Sequence, residues 1–193
     1  MHPLETYLEE LAATRASGAD TKETSGDPAL ADLFNTVGQT LKPKVRCRIQ
    51  LKNSGAGNPD GGFFTQDQWK QQPTEEPLGT LLPARGVVEV KGTAEEIADI
   101  AQTDQVKEYV ARYGLLLLTN YRDFLLLKRG KGWKPVELES FRLAESEAAF
   151  WVCAAHPRKT ATALGERFEE YLKRVLLHAA PLNNPKDVAF FLA

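Results

Sequence analysis

Cysteine and histidine are scarce in this chain. Its 193 residues hold two cysteines, Cys47 and Cys153, and three histidines, His2, His156 and His178. Two cysteines cannot supply the paired spacings of a structural zinc site, and no histidine has a second ligand spaced to join it. The same scarcity removes a credible nucleophile–base pair. Each cysteine sits in an apolar stretch and reads as a free core thiol of a reducing cytosol, with a single disulfide as the lesser alternative. Long apolar runs are missing too. The longest, Ala148 to Ala155, falls far short of a membrane span, and Leu115 to Leu118 is strand-sized. The N-terminus is acidic and amphipathic, with no signal peptide. These absences predict a cytoplasmic protein with no membrane partner. A dominant charge sign is also lacking. The net charge is −2, with 42% hydrophobic and 26% charged residues, which are globular values. Any nucleic-acid surface must then be a local basic patch. Gly55-Ala-Gly57 is no dinucleotide fingerprint, because Pro59 and Gly61-Gly62 follow where a helix should begin.

Periodicity supplies the elements. Leu4, Tyr7, Leu8 and Leu11 predict a helix from Pro3 to about Thr14. A second helix is expected from Asp27, with Asp27 as cap, Pro28 at the first position and Leu30, Leu33, Phe34, Val37 and Leu41 on one face. Val45, Cys47, Ile49 and Leu51 alternate with Arg46, Arg48, Gln50 and Lys52, the period of a half-buried strand. Asn53 to Gly62 reads as a loop, and Gly62 to Thr65 as the start of a second strand. Gln66 to Gly79 is polar and reads as a loop or irregular hairpin around Trp69. Val87, Val88 and Val90, bounded by Gly86 and Gly92, predict a buried strand. Glu95 to Arg112 reads as one helix ended by Gly114. Leu115–Thr119, Phe124–Lys128 and an edge strand over Pro135–Leu143 follow, joined by turns at Asn120–Asp123 and Arg129–Trp133. Helices over Glu145–Ala155 and Ala161–Ala179 split at Pro157.

Glu89 and Lys91 lie two apart on the valine strand and so point to one face. A carboxylate and an ammonium at the end of an apolar strand are costly unless they pair or serve a ligand. Upstream lies the turn sequence Asn58-Pro-Asp-Gly. Downstream, Gln105 and Tyr109 share one face of a helix, one turn apart. Each motif is short. Their order is specific: helix, strand, Pro59-Asp60, strand with Glu89-Val-Lys91, helix with Gln105-x-x-x-Tyr109, strand. This series resembles the PD-(D/E)xK nuclease superfamily in its Gln-x-x-x-Tyr branch. Glu23-Thr-Ser-Gly-Asp-Pro-Ala-Leu30 and Leu117-Leu-Thr-Asn-Tyr-Arg-Asp-Phe124 are similar to stretches of the N-terminal nuclease domain of single-chain restriction–modification enzymes. The match runs from about Glu23 to Lys128. It departs from the pattern in the long connection from Asp60 to Glu89, with Pro73, Pro77 and Pro83, and in Gly61-Gly62 after Asp60.

The resemblance implies an α/β fold with a restriction-endonuclease-like core: a central mixed sheet flanked by helices. The nuclease-like domain would span 1–143, with its first helix at 3–14 and its core at 23–143. Residues 144–193 would form a helical appendage or linker. Phe190-Phe191-Leu192 reads as an apolar end cut from something longer, toward a methyltransferase part absent here. The implied activity is hydrolysis of double-stranded DNA with Mg²⁺, for which Mn²⁺ can substitute. Asp60, Glu89 and the Val90 backbone carbonyl would hold the ion through oxygen ligands, and Glu23 would complete its shell. Lys91 would position or deprotonate the attacking water or hold a phosphate oxygen. Gln105 and Tyr109 would brace Lys91 or touch the phosphate. The implied partners are DNA and the methyltransferase and target-recognition domains of a parent chain. The rival class is a non-catalytic DNA-binding or docking module that keeps this fold. Arg122 and the basic run Lys128, Arg129, Lys131 and Lys134 read as ordinary solvated charge, or for that run as phosphate contacts.

Overall fold

Six strands form one mixed sheet: β1 (Val45–Ile49), β2 (Gly61–Thr65), β3 (Val87–Val90), β4 (Leu115–Thr119), β5 (Asp123–Arg129) and β6 (Pro135–Arg142). They are hydrogen-bonded in sequence order in a computed structural model that describes residues 1–18, 25–49, 59–71 and 82–180. The expected reach of β1 to Leu51, the turn residue Asn58 and the Phe190–Leu192 end lie outside those residues. Only β3 and β4 are parallel; the other neighbours are antiparallel. Seven helices accompany the strands among the described residues. They are α1 (Pro3–Ala16), α2 (Asp27–Thr40), α3 (Gln66–Gln71), α4 (Ile97–Ile100), α5 (Asp104–Tyr113), α6 (Glu147–Ala155) and α7 (Pro157–Leu177). The architecture is the α/β class read from the sequence, a central mixed sheet flanked by helices.

The strand patterns explain the layering. Leu115 to Leu118 are all nearly inaccessible, as expected for a central strand covered on both faces. One face carries Val45, Cys47, Phe63, Val88, Val90, Leu117 and Leu126, packed under α1, α2, α6 and α7. Phe34 of α2 meets Phe63 edge-on at 5.1 Å. The other face carries Val87, Leu116, Leu118 and Leu127 under α5, which supplies Val106, Tyr109, Val110 and Tyr113. The parallel β3–β4 pair needs a crossover, and α4 with α5 provides it. β6 closes the sheet as the expected edge strand, with only partial burial.

Four local expectations change. The helix read over Glu95–Arg112 is two helices. Thr103 accepts the Val106 N–H through its hydroxyl and starts α5 afresh, because a threonine competes with the helical backbone. Gly114 ends α5 in a left-handed conformation, as expected. The start of the polar stretch Gln66–Gly79 is helical, not loop. Thr65 Oγ1 accepts the Gln68 N–H while Gln68 Oε1 accepts the Thr65 N–H, a reciprocal cap that starts α3. Gln68 is buried and also binds the Leu82 carbonyl and the Ala84 N–H, pinning the segment that leads into β3. At α2, Gly26 takes the cap position and Asp27 lies one residue inside. Asp27 is buried and accepts the Tyr121 hydroxyl at 2.9 Å. Tyr7 in turn donates to the Tyr121 carbonyl at 2.9 Å, so α1 and α2 both grip the β4–β5 turn, where Tyr121 has φ 71°.

The fourth change concerns the C-terminal quarter. The sequence sets residues 144–193 apart as an appendage. The described part, through Ala180, packs within the main core. Phe150, Phe168, Tyr171, Leu172, Val175 and Leu176 share one cluster with Leu4, Tyr7, Phe124 and Leu126. Phe168 lies 5.0 Å from Phe124 and 5.1 Å from Phe141, and Tyr171 donates to the Phe124 carbonyl. The period-3.6 apolar face of α7 needs a partner, and the sheet is that partner. Phe168→Ala should therefore lower global stability by roughly 3–5 kcal/mol. Urea unfolding followed by circular dichroism and tryptophan fluorescence should show one shifted transition. A loss confined to a separate, earlier helical transition would mean that α7 folds apart from the sheet.

Candidate active site

The crossover topology puts the carboxyl ends of β3 and β4 side by side, a usual place for ligands in open α/β sheets. Because Val88 and Val90 enter the α1–α2 side of the core, Glu89 and Lys91 face the α5 side. They meet there: Lys91 Nζ donates to Glu89 Oε1 at 2.8 Å. Asp60 arrives from the neighbouring strand. The β2–β3 register pairs Gly61 with Val88, which sets Asp60 beside Glu89. Asp60 Oδ2 then accepts the Val90 N–H at 2.8 Å, so the strand end itself holds this carboxylate in place.

Glu89 is 2% exposed, and its Oε2 is buried without a hydrogen-bond partner. Burial above all, and then repulsion from the Asp60 carboxylate, push its pKa up to about 7. The Lys91 ammonium and the Asp60 backbone pull it partly back. An orphaned carboxylate oxygen next to a second carboxylate is the donor set of a hard divalent cation. Among the described residues no group of three or more histidine, cysteine or acidic side chains gathers. The site thus offers two carboxylates and the Val90 carbonyl of the same strand end. Glu23, read as the further acid, lies outside the described residues.

The Gln-x-x-x-Tyr pair also converges. Gln105 Nε2 donates to the Tyr109 hydroxyl at 3.1 Å, although Gln105 itself is exposed. Tyr109 is buried, and its ring packs edge-on with Tyr113. Burial and then the negative field of Glu89 raise its pKa, with a further push from Asp60, while the Gln105 hydrogen bond and Lys91 oppose the shift. Tyr109 thus lies within electrostatic reach of Asp60, Glu89 and Lys91. Of the sequence-predicted residues, Asp60, Glu89, Val90, Lys91, Gln105 and Tyr109 gather at one end of the sheet.

Sequence reading missed what supports this end. Arg122, read as solvated charge, is 1% exposed. It donates to the Thr93 carbonyl at 3.2 Å, the Glu145 carbonyl at 3.3 Å and the Glu96 carboxylate at 2.6 Å, and it pairs with Asp123. Asn120, fully buried, donates to the Glu95 carbonyl at 2.7 Å. The Lys91 N–H donates to the Thr119 carbonyl at 2.8 Å. The β4–β5 turn therefore anchors the loop that follows Lys91. The available signal was an arginine in a turn beside Asp123, with the acid Glu96 on a preceding segment to match it.

No family model matches the sequence, and no curated protein matches it. Among solved structures, the chain is similar to one described as a cryo-EM structure of a DrdV–DNA complex. The identity is 17%, over 80% of this chain and 94% of that chain, with a TM-score of 0.49.

The raised Glu89 pKa has a signed consequence. In the unfolded chain this carboxyl ionises near 4.5; in the folded protein it ionises near 7. Its contribution to stability is full below the lower value and is lost as pH rises through the higher one. Without metal, Glu89→Gln should melt close to wild type at pH 5 and above it at pH 8. A gap that stays constant across that range would mean that Glu89 is not held in a charge-disfavouring site.

Proposed function

We propose that this chain is the Mg²⁺-dependent DNA endonuclease domain of a larger restriction–modification enzyme, hydrolysing phosphodiester bonds. One observation carries the reading: a buried glutamate with one oxygen on a lysine, the other without a partner, and an aspartate alongside. Asp60, Glu89 and the Val90 carbonyl would hold the ion, with Glu23 as a further ligand. The bound ion supplies charge neutralisation at the phosphate and lowers the pKa of a bound water. Lys91, fixed by Glu89, holds a phosphate oxygen or orients the attacking water. Tyr109 lies within electrostatic reach of these groups and Gln105 bonds to its hydroxyl, where an amide that donates and accepts can bridge water to phosphate. Base-reading elements are not evident in the sequence, so target choice would belong to the parent's recognition domain.

The docking-module alternative gains nothing from these residues. A retired site has no use for a buried glutamate set against a second carboxylate. Nicking of supercoiled plasmid should require Mg²⁺ or Mn²⁺, stop with chelator, and fall about a hundredfold or more in Asp60→Ala and Glu89→Ala, the scale of a lost electrostatic group. The same ions should raise the melting temperature of wild type but not of Glu89→Ala. Wild-type nicking by either variant would remove that residue from the mechanism.

Gln105 and Tyr109 separate on two measurements. Gln105→Ala should slow cleavage about ten- to a hundredfold, as losses of supporting hydrogen bonds do, with little change in melting temperature. Tyr109→Ala empties a buried site and should lower stability as well as rate. Unchanged cleavage per folded molecule in both would strike the pair from the site.

A further inference from the structure

Arg46 and Arg48 alternate with the core residues Val45 and Cys47 on β1, so both lie on the sheet face that bears Glu89 and Lys91. Trp69 of α3 stands over them. The guanidinium carbons of Arg46 and Arg48 lie 5.3 and 4.5 Å from its ring centroid. Phe64 backs the indole from β2 at 6.4 Å between centroids. Two cations on one indole repel each other, and a carboxylate between them would relieve that. Neither arginine pairs with one among the described residues. The Nη1 of Arg48 is buried and has no hydrogen-bond partner among the described residues. A guanidinium that is desolvated on one side and uncompensated carries a cost that an anion at its open edge would offset. Both side chains are half-buried, so part of each stays accessible to an anion. Stacking also fixes the planar donor fork, which suits phosphate oxygens better than a lysine would.

Register places this pair next to the carboxylates. Arg48 is opposite Gly62 across the β1–β2 ladder, two residues along β2 from Asp60. That is ~7 Å along the strand, about the spacing of successive phosphates on one DNA strand. We propose that Arg46 and Arg48, braced on Trp69, bind backbone phosphates of the DNA strand beside the one held at Asp60 and Glu89. The proposal rests on the nuclease reading for its neighbour, and gives a net acidic chain a local cationic track leading to an acidic site.

Binding of a fluorescent duplex in EDTA, measured by anisotropy across a salt series, tests it without cleavage. Each phosphate contact contributes about 0.9 to the slope of log K against log salt. Arg48→Ala and Arg46→Ala should each weaken binding about tenfold and lower the slope by about 0.9, and the double variant by about twice that. Trp69→Ala keeps both charges, so its slope should hold while affinity falls severalfold. Arg48→Lys should likewise keep the slope and lose affinity, which separates lost orientation from lost charge. Thermal melts confirm that each variant is folded, and Arg48→Lys serves if the alanine forms are not.

A folded double variant with wild-type affinity and slope overturns the proposal, and so does a wild-type chain that binds no DNA. Equal losses for heparin and for DNA would mark a general polyanion surface and overturn the DNA assignment. The two readings fail separately. If DNA binding depends on these arginines but no Mg²⁺-dependent cleavage occurs, the track stands and the nuclease reading falls. If cleavage proceeds with unchanged KM in the double variant, the track falls alone.

Discussion

The structure turns on keeping one ionisable carboxyl, Glu89, inside the sheet. A carboxylate with 2% exposure is unfavourable unless charge or hydrogen bonds reach it. Lys91 answers one oxygen. The rest of the local design places Asp60 where it raises the cost. A second carboxylate beside a buried one destabilises the bare protein, and the proposed cation would offset that repulsion. The same β3 that carries Glu89 sends its end amide to Asp60, so backbone pairing and site geometry are one object.

Around this strand the protein spends two further buried charges on scaffolding. Arg122 ties Thr93, Glu96 and Glu145 into one knot, linking the loop after Lys91 to the entrance of α6. Thr93 adds a 2.6 Å hydrogen bond to Glu147 on α6 itself. Asp27 accepts from Tyr121, whose carbonyl receives Tyr7. The β4–β5 turn is thereby held from the loop on one side and from α1 and α2 on the other. Breaking such a buried group leaves its partners desolvated and unpaired, which is why these contacts act as rigid supports.

Much of this was legible in the sequence. The β-branched run Val87–Val90, the four leucines of β4 and the alternation in β1 each fix a strand by period and burial, and Gly114 marks its helix end. The Glu89–Lys91 spacing alone sets both side chains on one face. What stayed hidden was decided by distant contacts. Thr103 splits a continuous helical pattern, though a threonine inside it was a visible warning. The Thr65–Gln68 cap was readable as a local motif but was masked by the glutamine- and proline-rich composition around it. The inclusion of α7 in the core depends on Phe124 and Phe141, more than twenty residues away in sequence. The burial of Arg122 depends on the Glu96 carboxylate and on the Thr93 and Glu145 carbonyls, which come from separate segments, with Asp123 beside it. Trp69 looked isolated among polar residues because its partners, Arg46, Arg48 and Phe64, sit on other elements.

The central claim is that the unpartnered oxygen of Glu89 and the carboxylate of Asp60 share one cation. Anomalous diffraction from crystals of this chain soaked in Mn²⁺ tests it most directly. A single peak at the ends of β2 and β3, about 2.0–2.3 Å from oxygens of both Glu89 and Asp60, is the predicted result. Ordered side chains with no peak between them, or a peak that touches neither, would contradict it.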